Sequence, residues 1–317
     1  MSDYYDGINV DDCTLATCPI SLAHVTYQPN LAANILFVLI FSVIMAAQAY
    51  LGTRFRIWTY MGAMIPGLIL EVLGYAGRIM MHHNPFNFSG FLLYLIPLTI
   101  GPAFFTAAIY ICLGKIVIVY GEDISRLRPK TYSYIFITCD LIALVLQAAG
   151  GAVSSIATSS QQSLSNAGVN TMIAGLAFQV GSLTLFVALA LDFTLRVRRS
   201  AEIMKNEATE TLRASGKWKM FLGGLGVAVL TIYIRSCFRV AELQGGFSSS
   251  LANNEVALMI LESLMVTIAC TAMTVAHPGR IMGDQWRLLA PKAAGHYSNA
   301  TLAKEPMVSS GEELQSV

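Results

Sequence analysis

The chain has 317 residues, of which 55% are apolar and only 12% charged. That is about half the charge of a water-soluble domain, too little polar surface to cover a wetted exterior. With 20 basic and 19 acidic residues the formal net charge is +1. A cytosolic enzyme, a disordered chain and a nucleic-acid binder are therefore excluded, and an all-α polytopic membrane protein remains.

Residues 1–30 contain Asp3, Asp6, Asp11 and Asp12 and no Lys or Arg. No basic segment precedes an early apolar stretch, so no cleavable signal peptide is expected. Cys13 and Cys18 in this segment are the candidate pair for a disulfide. Seven apolar runs long enough to span a bilayer follow, at about 31–51, 57–79, 90–117, 132–154, 169–194, 219–241 and 254–276. The second contains Pro66. The third is overlong and contains Pro97 and Gly101-Pro102, which predict a tilt or kink. Asn87-Phe88-Ser89 is a glycosylation sequon, but it lies too close to span three for use to be expected. His82-His83 reads as a solvated loop. The connection 195–218 is long and mixed in charge, and the tail 280–317 reads as a largely disordered cytoplasmic end. The domain division is thus an extracellular segment 1–30, a seven-helix bundle 31–279 and the tail.

The basic residues set an orientation. Arg54 and Arg56 follow span one, and Lys115, Arg126, Arg128 and Lys130 close span three. A further group from Arg196 to Lys219 follows span five, and Arg280, Arg287, Lys292 and Lys304 lie in the tail. The connections 155–168 and 242–253 carry none. The positive-inside rule then predicts an outside N-terminus and a cytoplasmic C-terminus.

The remaining charges lie within spans, where each costs several kcal/mol unless it is paired or hydrated. Span two places Glu71, Gly74, Tyr75 and Arg78 on one face; span four carries Asp140 and Gln147. Span five has Gln179 near its middle and Asp192 at its inner end. Span six aligns Arg235, Arg239 and Glu242, and span seven aligns Glu255 and Glu262. The orientation puts Glu71, Arg78, Arg235, Arg239, Glu242, Glu255 and Glu262 in the outer half of the membrane. Asp140 and Asp192 fall in the inner half and Gln147 near the middle. Four acids and three bases in the outer half predict a polar, near-neutral cavity open to the outside, suited to a zwitterionic or amphiphilic headgroup. The competing reading is a set of structural ion pairs, such as Glu71 with Arg239 or Arg235 with Glu262.

Several motifs resemble those of the fungal lipid-translocating exporter family, the RTA-like family named for resistance to aminocholesterol. They are Glu71-Val-Leu-Gly74-Tyr75-Ala-Gly-Arg78, Gly101-Pro102-Ala103 with Tyr110, Asp140 with Gln147 and Gly150-Gly151, and Gly175-Leu-Ala-Phe-Gln179. Arg235-Ser-Cys-Phe-Arg239-Val-Ala-Glu242 and His277-Pro278-Gly279 complete the set, and the resemblance covers about residues 57–280. Met259 departs from it, standing where the family usually has an aromatic residue between the two acids of span seven. The resemblance implies a seven-span protein of the plasma membrane or a related endomembrane. It implies movement of sphingoid long-chain bases, other lipids or toxic amphiphiles, and in some members of porphyrin or haem. On this reading the partners are membrane lipids and an amphiphilic small-molecule cargo. Arg235 or Arg239 would hold a phosphate or carboxylate, and Glu71 or Glu262 an amine.

A seven-span receptor-like lipid or stress sensor is the alternative. Against it, span three ends Gly114-Lys115-Ile-Val-Ile-Val-Tyr120 without an acidic-Arg-aromatic switch, and span seven lacks Asn-Pro-x-x-Tyr. Span seven also lacks a Lys for a retinal Schiff base. A zinc hydrolase needs about three converging ligands, but His82 and His83 lie a membrane away from His277. No nucleotide-binding loop is present. No enzyme activity, cofactor or metal is expected, and no sequence feature assigns an oligomeric state.

Overall fold

The computed structural model describes Cys13, residues 17–20, Ala23, Val25, residues 27–121, 124–156, 162–199, 213–244 and 254–283, and Trp286. Seven helices among them are long and apolar enough to cross a membrane. They are α1 (Leu31–Arg54), α2 (Trp58–His83), α3 (Phe88–Tyr120), α4 (Pro129–Ile156), α5 (Gln162–Arg199), α6 (Gly216–Gln244) and α7. The last begins as Glu255–Leu258, widens into a π-helical turn over Met259–Leu264 and continues as Met265–Val275. A short helix, α8 (Pro278–Met282), follows. The protein is an all-helical, seven-span membrane protein; the described residues include no strand.

Helices α1 to α6 run longer than the apolar runs, chiefly through polar turns at their ends. His82 and His83 accordingly form the end of α2 rather than a loop. His82 Nδ1 donates to the Pro29 carbonyl at 2.6 Å, which fastens the segment before α1 to that end. Asn30, Asn87 and Asn254 cap α1, α3 and α7, each side chain accepting from the backbone N–H three residues on. Asn87, the sequon residue, therefore has its side-chain oxygen engaged with Gly90 N at 3.0 Å. Gly121 ends α3 at φ 117, a conformation open chiefly to glycine.

Successive helices pack side by side, and α7 returns to α1, closing a ring. Helix α3 lies innermost: 67% of its most apolar stretch is buried, against 17% for α1. Exposed Leu36, Leu39 and Val43 on α1 and Leu141 and Val145 on α4 are the lipid-facing side chains expected at the rim. Close approach at α2–α3 depends on Gly77. A Cβ there would lie 2.5 Å from the Tyr94 backbone nitrogen. Gly150 and Gly168 serve the α4–α5 seam in the same way.

The alternating helix directions bring Arg54, Arg56, Arg126, Arg128, Lys130, Arg196, Arg198, Arg199, Lys217 and Lys219 to one end of the bundle. Trp286 is buried against that end. Its carbonyl accepts from Lys115 Nζ at 3.2 Å, and the ammonium lies 5.1 Å from its ring. The chain is thus held at least as far as Trp286, and residues 287–317, most of the expected tail, lie outside the described residues. At the other end Cys13 and Cys18 are joined by a disulfide, with Cα atoms 5.6 Å apart, and pack on Phe86.

Candidate functional site

The site forms where α2, α6 and α7 meet the first half of α3. Proline has no N–H, so Pro102 leaves the Leu98 carbonyl, four residues earlier, without its helical donor. In hydrocarbon that oxygen needs another donor. Arg235 of α6 supplies it through Nη2, which also pairs with Glu262 Oε1 at 3.0 Å. One turn along α6, Arg239 Nη1 lies 2.8 Å from Glu242 Oε2 and 3.4 Å from Glu262 Oε2. Its Nη2 donates to Thr99 Oγ1 at 3.0 Å. Glu262 thus bridges two arginines from within the π turn. Of the two ion pairs considered from the sequence, Arg235 with Glu262 forms. Arg239 turns instead to Glu242 and Glu262.

Arg78 occupies a separate place near the end of the bundle. Its Nε donates to Asn34 Oδ1 at 3.0 Å, and Nη2 lies 3.5 Å from Glu255 Oε1. Both terminal nitrogens donate to the Tyr27 hydroxyl at 3.3 Å. Burial raises the Tyr27 phenol above its ordinary pKa, so it stays a neutral acceptor. The guanidinium also lies over the Tyr94 ring, 5.1 Å from its centroid. Glu255 Oε1 accepts from Asn30 N at 2.6 Å, tying α7 to the start of α1.

Three arginines thus take three acids, and Glu71 is the fourth acid. It is 1% exposed, and no Lys or Arg among the described residues lies within ion-pair distance of it. Its Oε1 makes no hydrogen bond. That oxygen faces Gly101 of α3, where a Cβ would stand 3.0 Å away. Tyr75, one turn on, stacks on Phe37 and Phe41 of α1 with ring centroids 5.1 and 5.6 Å apart.

The polar residues of α4 and α5 lie apart from this cluster. Asp140 accepts from Thr106 Oγ1 of α3 at 2.7 Å, and its Oδ1 is buried without a partner. Gln147 Nε2 donates to Gln179 Oε1 at 3.1 Å. Asp192, at the basic end, joins Arg126 and Arg196 at 3.0 and 2.8 Å. The candidates therefore divide into an ion-pair cluster, the Arg78–Glu255 clasp, the lone Glu71 beside Tyr75, two polar pairings between α3, α4 and α5, and Asp192 with its two arginines at the basic end. The clustered charges are packed against one another: Arg239 is 2% and Glu262 1% exposed.

Sequence reasoning passed over Asn34, Thr99, Thr106 and the Leu98 carbonyl. The first three are polar residues inside apolar runs, a signal of the same kind as the charges though weaker. The fourth follows from Pro102 by counting back four residues.

A profile of the family described as "RTA1 like protein" matches residues 64–285. The chain belongs to the RTA1-like family. The match spans every charged member of the cluster and confirms the resemblance carried by the motifs. "Sphingoid long-chain base transporter RSB1" of Saccharomyces cerevisiae (strain ATCC 204508 / S288c) is 35% identical over 300 residues, covering 86% of this RTA1-like chain and 78% of the relative. "Protein RTA1" of the same organism is 26% identical over 277 residues, covering 80% and 84%. Its "Protoporphyrin uptake protein 1" is 24% identical over 284 residues, covering 78% and 90%. Two of these names describe the movement of a molecule and none names a reaction. No solved structure matches the chain.

Proposed function

We propose that this RTA1-like protein moves a single-chain amphiphile with a cationic amine headgroup, of the sphingoid long-chain base class, across the bilayer. The observation that carries the reading is Glu71, a buried carboxyl with no base within ion-pair distance among the described residues, while Glu242, Glu255 and Glu262 each pair with an arginine. A lone carboxylate in hydrocarbon is costly, and an arriving ammonium removes that cost. Gly101 keeps the approach to the carboxyl clear. Asp140, the other buried acid without an arginine, is the second polar stop along α3, while the tail stays in lipid. An anionic cargo such as a porphyrin would instead need Arg235 or Arg239, and both are already matched by carboxylates.

In this reading residues 1–30 face outside and the tail faces the cytoplasm, following the basic end of the bundle. The membrane is the plasma membrane, the path opens outward, and the packed cluster is its closed form. The relative named as a sphingoid base transporter supports the cargo class.

The test is transbilayer movement of a fluorescent sphingoid base in proteoliposomes of the purified chain, beside protein-free vesicles. Movement is expected to require protein and to slow about tenfold in Glu71→Gln, a loss of about 1.4 kcal/mol. Folding should stay near wild type, since no ion pair is removed. A variant that transports at the wild-type rate overturns the assignment. Well-folded protein that moves nothing points to the receptor-like sensor.

A further inference from the structure

The half of the bundle away from Glu71 contains a groove of about 520 Å³ between α5 and α6, floored by α3. Leu113, Phe186, Ala190, Leu225, Gly226 and Val229 line it, and Arg198 stands at its rim. The size is that of a ligand site rather than a packing defect. Along α5 the lining runs from Phe186 to Arg198, about 18 Å at the helical rise. A bilayer's hydrocarbon core is about 30 Å thick, so the groove is about as long as one leaflet is deep. Tyr233 marks the deep end, its hydroxyl sharing a hydrogen bond with Thr184 at 3.2 Å.

Charge selects among the hydrocarbon chains that would fit. Arg198 is exposed and, among the described residues, pairs with no acid. The acid on the same helix, Asp192, is already shared by Arg126 and Arg196. Arg199, Lys217 and Lys219 lie at the same end of the bundle. A guanidinium at the headgroup level suits a phosphate and repels an amine. We infer that this groove seats one acyl chain of an anionic phospholipid, with Arg198 attracting the net negative charge of its headgroup, which a zwitterionic choline headgroup lacks. The site is distinct from the Glu71 path and does not rest on the cargo assigned there.

Two glycines of α6 make the inference testable. Cβ atoms at Gly226 and Gly223 would meet nothing within 4 Å, so larger side chains are tolerated at both. Gly226 lines the groove, and Gly223 is not among its lining residues. The full chain, stripped of lipid in detergent, is titrated with phosphatidylserine, phosphatidylcholine or a sphingoid base and followed by native mass spectrometry. A saturable phosphatidylserine adduct is expected, weakened about tenfold by Gly226→Leu and unchanged by Gly223→Leu. Arg198→Gln, an exposed substitution that leaves packing intact, should erase the preference for phosphatidylserine over phosphatidylcholine. Equal binding of the two phospholipids to the unmodified chain overturns the inference. So does displacement of phosphatidylserine by the sphingoid base, or an adduct indifferent to Gly226→Leu in folded protein.

Discussion

A guanidinium has five donors, and one carboxylate cannot satisfy them all. Arg235 shares its Nη2 between Glu262 and the carbonyl released by Pro102, so one nitrogen neutralises a charge and caps a helix defect, while its buried Nε makes no hydrogen bond. Arg235→Met should therefore cost more than an ordinary surface charge, about 3–5 kcal/mol, because Glu262 loses a partner and the Leu98 oxygen is stranded. Thermal unfolding in detergent measures this, and Glu71→Gln is the internal comparison, expected near wild type. The contrast separates acids that hold the bundle together from the one assigned to cargo. The aligned charges on α6 and α7 made the Arg235–Glu262 pair legible in the sequence. The Glu71–Arg239 alternative failed because Arg239 has Glu242 three residues on along its own helix, and a partner on the same face is reached more readily than one across the bundle.

Between elements, the contact is set by what is missing from a side chain. Gly77 lets the backbone of α3 come close enough to α2 for Arg78 to reach over Tyr94. Gly77→Ala places a methyl group 2.5 Å from a backbone nitrogen that cannot rotate away. The expected cost is about 1–3 kcal/mol, with the clasp to Glu255 loosened. A lower unfolding temperature, together with loss of the protection that burial gives α2, checks it. The seven spans were legible because lipid demands long apolar runs; their ends were not, because the last turns are polar. The π turn left no mark either. The seven-residue spacing of Glu255 and Glu262 suggests one helical face, yet the two acids meet different arginines, with a widened turn between them. Backbone bonds that skip five residues rather than four carry no compositional signature.

For the molecule as a whole, an apolar rim surrounds a mostly apolar interior in which the buried charges are gathered, and α3 is the most buried member of the ring from α1 round to α7. His83 is exposed at one end and Lys217 at the other. A membrane-impermeant maleimide should label His83→Cys on intact cells and Lys217→Cys only after permeabilisation; the reverse pattern would invert the proposed topology. The seven crossings give the chain a parity. The Cys13–Cys18 loop and the segment around Trp286 cannot share a solvent, whichever way the bundle is inserted. A reductant, protease or kinase confined to one compartment acts on one of these termini and leaves the other untouched. The two ends are thus separate addresses, each answerable to its own compartment.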